Sequence, residues 1–194
     1  MLNFIARIIS IVFNPLIVLF PIPYLLVYKT TYDIDYSIQW ALISYIFMAL
    51  VAIFVFSGVL MGYFTDFDVS KRQQRSSLFL FSFITTIIYV VMLFLLKGPE
   101  VLFVAIGGMI LGLVILAIIN RRLKASIHVA TISAVISAVG LIYGGPFLLA
   151  FSLIPLIAWS RVKTKRHTSL EAVVGGIVGT FLTIIIYIVV KKII

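Results

Sequence analysis

The stretch Trp159-Ser160-Arg161-Val162-Lys163-Thr164-Lys165-Arg166-His167-Thr168-Ser169-Leu170-Glu171 separates two apolar runs. One runs from about Phe147 to Trp159 and contains Pro155; the other runs from about Leu170 to Val190 and ends in Lys191-Lys192. A helix needs about 20 predominantly apolar residues to cross a bilayer. A dozen polar and basic residues between two such runs therefore read as a turn at a membrane surface.

The same alternation extends outward along the chain. A first span is expected from about Ile8 to Tyr28, kinked or broken by Asn14-Pro15, Pro21 and Pro23. It is long and no A-x-A-like site follows it, so it reads as a retained helix and not a signal peptide. Lys29 to Asp35 reads as a short polar loop, and a second span follows from about Trp40 to Tyr63. The polar stretch Thr65–Ser77 precedes a third span, Leu78 to Leu96. Lys97-Gly98-Pro99-Glu100 is a tight turn, and Val101 to Ile119 a fourth span. A fifth starts near Ile127-His128 and ends by Gly144-Gly145-Pro146, the turn that parts it from the sixth. The last run is the seventh.

Composition agrees. The 194 residues are 63% hydrophobic and 11% charged, against about 45–50% and about 25% in a soluble domain. The alternating pattern of a membrane β-barrel is absent. The fold class expected is all-α: a polytopic transmembrane helix bundle of six to seven spans, one domain over residues 1–194, with its active site at one membrane face. The absence of cysteine excludes disulfides and thiolate metal sites. Pairs of glycines at helical spacing, Gly108 with Gly112, Gly140 with Gly144 and Gly175 with Gly179, read as close helix packing in lipid.

With seven spans, the N-terminus and the loops at 65–77, 120–126 and 160–169 share one face. That face carries 11 of the 15 lysines and arginines and both histidines. The positive-inside rule places it in the cytoplasm, the protein lying in the cell inner membrane. Arginines that bind phosphate would sit there in either orientation. Setting aside Lys71, Arg75, Lys124 and Arg161 leaves 7 against 4, a weaker lean the same way. The net charge of +9 would suggest nucleic acid in a soluble chain. Here the basic residues crowd at the ends of apolar runs, so no nucleic-acid partner is expected.

Three polar stretches on this face carry chemistry. His167 and Glu171, four residues apart, share one side of a helix that begins there. Arg161 supplies a planar charge suited to phosphate. Lys124-Ala125-Ser126-Ile127-His128 opens another helix, whose free N–H groups attract anions; Ser126 suits either a helix cap or a donor to a phosphate oxygen. The third stretch offers Arg75, with Lys71 and Arg72. Thr168 and Glu171 also match the T-x-x-E capping box. Lys163, Lys165, Arg166, Arg121 and Arg122 read as topology signals and lipid headgroup contacts. Asp66 and Asp68 read as a loop ion pair with Lys71 and Arg72, since no second acidic cluster completes a magnesium–diphosphate clamp. No metal and no cofactor are expected.

In this arrangement the chain resembles the type 2 phosphatidic acid phosphatase superfamily over roughly residues 60–185. The family's third motif is S-R, five residues, H, three residues, D; here it is Ser160-Arg161, His167 and Glu171 at the same spacing, with glutamate for aspartate. The second motif, usually P-S-G-H, reads Ala125-Ser126-Ile127-His128. The first, a lysine, six residues, then R-P, reads Asp68, then Arg75-Ser76. Divergent bacterial members carry a similar D-x-x-x-R-x-x-R stretch and a K-x-S-x-H motif, and this sequence looks like that branch.

The resemblance implies metal-independent cleavage of a lipid phosphate or isoprenoid diphosphate through a phosphohistidine. His167 would be the nucleophile, Glu171 the support of its other ring nitrogen, and His128 the general acid and then base. Arg75, Arg161, Ser126, Lys124 and Lys71 would clamp the phosphoryl oxygens. Glutamate for aspartate adds a methylene and is expected to shift the histidine's support by up to about 1.5 Å. Ile127 for glycine is expected to narrow the approach to the backbone. The competing readings are a magnesium-dependent prenyl or lipid transferase using Asp66 and Asp68, a non-catalytic phosphatase-like scaffold, and an anion transporter. No intramembrane charge pair marks a transport path. The sequence leaves oligomeric state open.

Overall fold

The computed structural model describes residues 2–67, 69 and 71–193, without the side chains of Arg72, Lys192 and Ile193. It is 83% helical, and no strand forms among the described residues. The protein is an all-α polytopic membrane bundle. Among the described residues six helical segments are long and apolar enough to cross a membrane: Leu2–Leu19, Ile34–Leu60, Arg75–Leu95, Glu100–Asn120, Gly145–Lys163 and Ser169–Lys191. A seventh apolar helix, Ile127–Tyr143, has 17 residues and a length of about 25 Å at 1.5 Å per residue.

The chain divides into two compact units, Met1–Leu19 with Leu111–Ile194, and Phe20–Ile110. The boundary falls inside the expected first span. The run from Ile8 to Tyr28, expected to be kinked or broken at its prolines, is broken into parts of three helices: α1 (Leu2–Val12), α2 (Pro15–Leu19) and α3 (Ile22–Thr31). Asn14 ends the first and starts the second: its Oδ1 accepts the Leu16 N–H at 3.0 Å, and Pro15, with no N–H to lose, takes the first helical position. Pro21 stands at the N-cap of α3 and Pro23 in its first turn, where a missing N–H costs no helical hydrogen bond. At 10 residues α3 is too short to span, so the crossing belongs to Leu2–Leu19.

In the unit Phe20–Ile110, α3 packs on α4 (Ile34–Leu60), and α4 on α5 (Arg75–Leu95). The expected polar loop at 29–35 shrinks to two residues, because Asp33 caps α4 by accepting the Tyr36 N–H at 2.9 Å. Val27, Trp40, Tyr89, Leu93, Leu102 and Ile106 form the core. The Tyr89 hydroxyl hydrogen-bonds Ser44 within it at 2.5 Å. The polar stretch after α4 folds onto itself: Gln74 accepts from Thr65 N–H at 3.2 Å and donates to the Tyr63 carbonyl at 2.9 Å.

In the other unit, α7 (Ile127–Tyr143) packs along α9 (Ser169–Ile193). Glycines make this close crossing. A Cβ on Gly175 would lie 2.5 Å from the Ser126 carbonyl oxygen, and one on Gly179 would strike the Ala130 carbonyl oxygen. The second half of α6 (Glu100–Asn120) also belongs here, with Gly112 facing Leu182. The Gly140–Gly144 pair serves two purposes: Gly140 admits Phe151, whereas Gly144 ends α7 at φ 64°, the left-handed region that favours glycine. The chain then returns through a 3-10 segment, Gly145–Ser152, into α8 (Leu153–Lys163). Val129, Ile132, Ile136, Ile157 and Ala172 form the core between these helices, and α1 packs on α8.

Candidate functional site

The site residues of this unit are held by a hydrogen-bonded seam between the α6–α7 loop and the α8–α9 loop. The Ser126 N–H donates to the Glu171 carbonyl at 3.0 Å, and the Lys124 Nζ to the Arg166 carbonyl at 3.2 Å. The two loops therefore lie at one end of the unit. It follows that α7 leaves this end and Gly145–Lys163 returns to it.

The Ser-Arg-x5-His spacing has a local cause. After α8 the backbone turns through Lys165 at φ 57°, and the Arg161 carbonyl accepts both the Arg166 N–H at 3.1 Å and the His167 N–H at 3.3 Å. Five residues are what this closed turn takes up between Arg161 and His167. α9 then starts with the expected capping box: Glu171 N–H donates to Thr168 Oγ1 at 3.3 Å, and Thr168 N–H to Glu171 Oε2 at 3.1 Å.

Glu171 does more than cap. Its Oε2 also lies 3.0 Å from His167 Nδ1, and the Lys124 carbonyl lies 3.1 Å from the same nitrogen. A carboxylate and a carbonyl can only accept, so Nδ1 carries the proton. In the neutral imidazole the lone pair is then on Nε2. The glutamate side chain makes this contact directly. Four residues apart on a helix, it reaches the ring from one turn on.

Arg161 is buried and fixed from an unexpected quarter. Its guanidinium donates to Ser10 Oγ at 2.6 Å, and Ser10 belongs to α1. Sequence reading missed Ser10: a serine in an apolar helix 151 residues away carries no local signal of this contact. Ser126 is buried and caps α7, accepting the Val129 N–H at 3.4 Å. A hydroxyl that accepts still has its own hydrogen to donate, so both expected roles remain compatible. His128 is buried two residues on, in the first turn of α7. Ile127 packs on the Leu116, Ala125 and Ala130 cluster. Lys124, expected to clamp phosphate, ties the two loops through the Arg166 carbonyl, which engages one of the three donors of its ammonium.

Arg75 and Lys71 belong to the other unit. Arg75 is buried at the start of α5, its Nε donating to the Val69 carbonyl at 3.2 Å, and Lys71 is exposed. Asp68, the position of the first-motif lysine and the second carboxylate of the Asp66/Asp68 pair, lies outside the described residues. Among the described residues no three of His, Cys, Asp and Glu gather as a metal site. No family model matches the chain, nor does any curated protein or solved structure.

Proposed function

We propose that the protein is an integral membrane phosphatase that cleaves a lipid phosphate or isoprenoid diphosphate, without metal, through a phosphohistidine on His167. The observation that carries this reading is the position of His167 Nδ1 between Glu171 Oε2 and the Lys124 carbonyl. The ring is oriented, its proton is on the supported side, and Nε2 presents a lone pair for attack on phosphorus.

In the first step the Nε2–P bond forms and the bond from phosphorus to the leaving oxygen breaks. His128 gives that oxygen its proton. Glu171 stabilises the imidazolium character that develops on His167. In the second step His128 takes a proton from water, whose oxygen attacks phosphorus and restores His167. Arg161, held by Ser10, and Ser126 are the phosphoryl clamps of this unit. A site at the loop end of an apolar bundle suits a headgroup phosphate whose tail stays in the bilayer. The basic loop end lies in the cytoplasm of the inner membrane in this reading.

The test is inorganic phosphate release by purified protein in detergent with chelator present. The substrates are phosphatidic acid, phosphatidylglycerol phosphate and a polyprenyl diphosphate, with His167→Ala alongside. Release that survives chelator and is lost in the variant supports the proposal. Release that needs magnesium and ignores His167 refutes it and favours a transferase using Asp66 and Asp68. A second reading, a scaffold that binds an anion without turnover, is favoured by the engagement of Lys124 with Arg166. It predicts no release from any substrate.

A further inference from the structure

The formal charge of +9 is not shared between the two units. Unit Phe20–Ile110 holds five lysines and arginines and five carboxylates, whereas the other unit holds ten lysines and arginines against the single carboxylate Glu171. That carboxylate is engaged with His167 and Thr168. This unit therefore carries the whole of the excess positive charge.

Some of that charge borders a groove. Asn3 of α1 and Trp159, Val162, Lys163 and Lys165 at the end of α8 line a cavity of about 370 Å³. Trp159, Val162 and Lys163 recur at helical spacing and form one side of α8. Ser160 and Arg161, buried on the other side, belong to the candidate catalytic site. Lys165 is the left-handed residue of the turn, two residues beyond the end of α8. The lining of the groove thus combines two lysines and an asparagine with a tryptophan and a valine.

We propose that this groove binds the headgroup of an anionic phospholipid of the surrounding bilayer, separately from the site at His167. The phosphate sits between Lys163 and Lys165, with the Asn3 amide donating to a phosphate or ester oxygen. Trp159 and Val162 cover the glycerol and the first acyl carbons. Trp159 and Val162 in the lining favour a lipid over a free phosphate, which has nothing to place against them. A tryptophan with its ring in the apolar layer and its N–H toward the headgroups is the usual occupant of this depth.

Trp159 is also the probe. The only other tryptophan, Trp40, is buried in the core of the other unit. The full-length protein is placed in vesicles of phosphatidylcholine with either brominated phosphatidylglycerol or equally brominated phosphatidylcholine. Subtracting the signal of Trp159→Phe isolates the Trp159 emission. Stronger quenching by the anionic lipid is expected, with a preference of about fivefold for each lysine. The preference should vanish in Lys163→Gln/Lys165→Gln and persist in the charge-matched control Arg121→Gln/Arg122→Gln. Equal quenching by both lipids in the wild type overturns the proposal. So does an equal loss in the control, which would mean general surface charge, or abolition by millimolar glycerol 3-phosphate or inorganic phosphate, which would mean a small-anion site. None of these outcomes depends on phosphatase activity.

Discussion

Glu171 Oε2 accepts from two neighbours at once, the Thr168 N–H at 3.1 Å and the protonated Nδ1 of His167 at 3.0 Å. One carboxylate oxygen thereby starts α9 and orients the ring one turn before it. The two roles are separable by substitution. Thr168→Ala removes only the cap and is expected to lower stability by about 1 kcal/mol, read by thermal unfolding in detergent, with phosphate release unchanged. Glu171→Gln keeps a side chain of the same length but removes the charge. It is expected to reduce release at least about 10²-fold. Equal behaviour of the two variants would leave Glu171 a cap alone.

Glu171→Asp restores the residue of the resembled motif yet is expected to weaken activity here. The Ser126 N–H ties the Glu171 backbone in place at 3.0 Å, so a side chain shorter by one methylene withdraws from Nδ1. A displacement on the order of 1 Å lowers rates by about 10²-fold. Full activity in Glu171→Asp would mean that the loop adjusts freely.

Ser10→Ala leaves Arg161 without its α1 partner. A hydrogen bond to a charged group contributes about 1.5–3 kcal/mol, so phosphate release is expected to fall by about ten- to a hundredfold. Ser10→Thr retains the hydroxyl and should restore much of it. Wild-type kcat and KM in Ser10→Ala would show that the contact does not position the guanidinium.

Gly179→Ala is expected to destabilise the protein by about 1–3 kcal/mol or more, because the new methyl meets the Ala130 carbonyl, and backbone on a packed helix cannot move aside. Gly107→Ala is the control: nothing lies within 4 Å of a Cβ there. It should be neutral or mildly stabilising, since alanine is the better helix former. Thermal unfolding in detergent compares the two.

Trimming Tyr89 to Phe removes the hydroxyl paired with Ser44 in an apolar core. Ser44 Oγ still donates to the Trp40 carbonyl at 2.6 Å, so no donor is stranded. The expected loss is about 1 kcal/mol, measured the same way.

The helices of this protein were legible because bilayer spans announce themselves by length and apolarity. The expected ends of the third, fourth, fifth and last runs lie within a few residues of Arg75–Leu95, Glu100–Asn120, Ile127–Tyr143 and Ser169–Ile193. The first span was misread because a hydropathy run does not show which side of a proline pair belongs to which neighbour. Asn14-Pro15 and Pro21-Ile22-Pro23 cut it into three, and packing then assigned α1 to α8 and α3 to α4.

At the site, the sequence by itself determined what is local. His167, Thr168 and Glu171 meet because a helix turn repeats every 3.6 residues and a capping box closes over three. Only the tertiary structure decided what is distant. It joined Lys124 and Ser126 to the loop that holds His167, gave Arg161 its hydroxyl from Ser10, and placed Trp159, Lys163 and Asn3 around one groove. Those pairings depend on which helix faces which. In an apolar bundle small residues such as Gly175 and Gly179 set that choice, and their effect is felt through the backbone of a partner helix some fifty residues away.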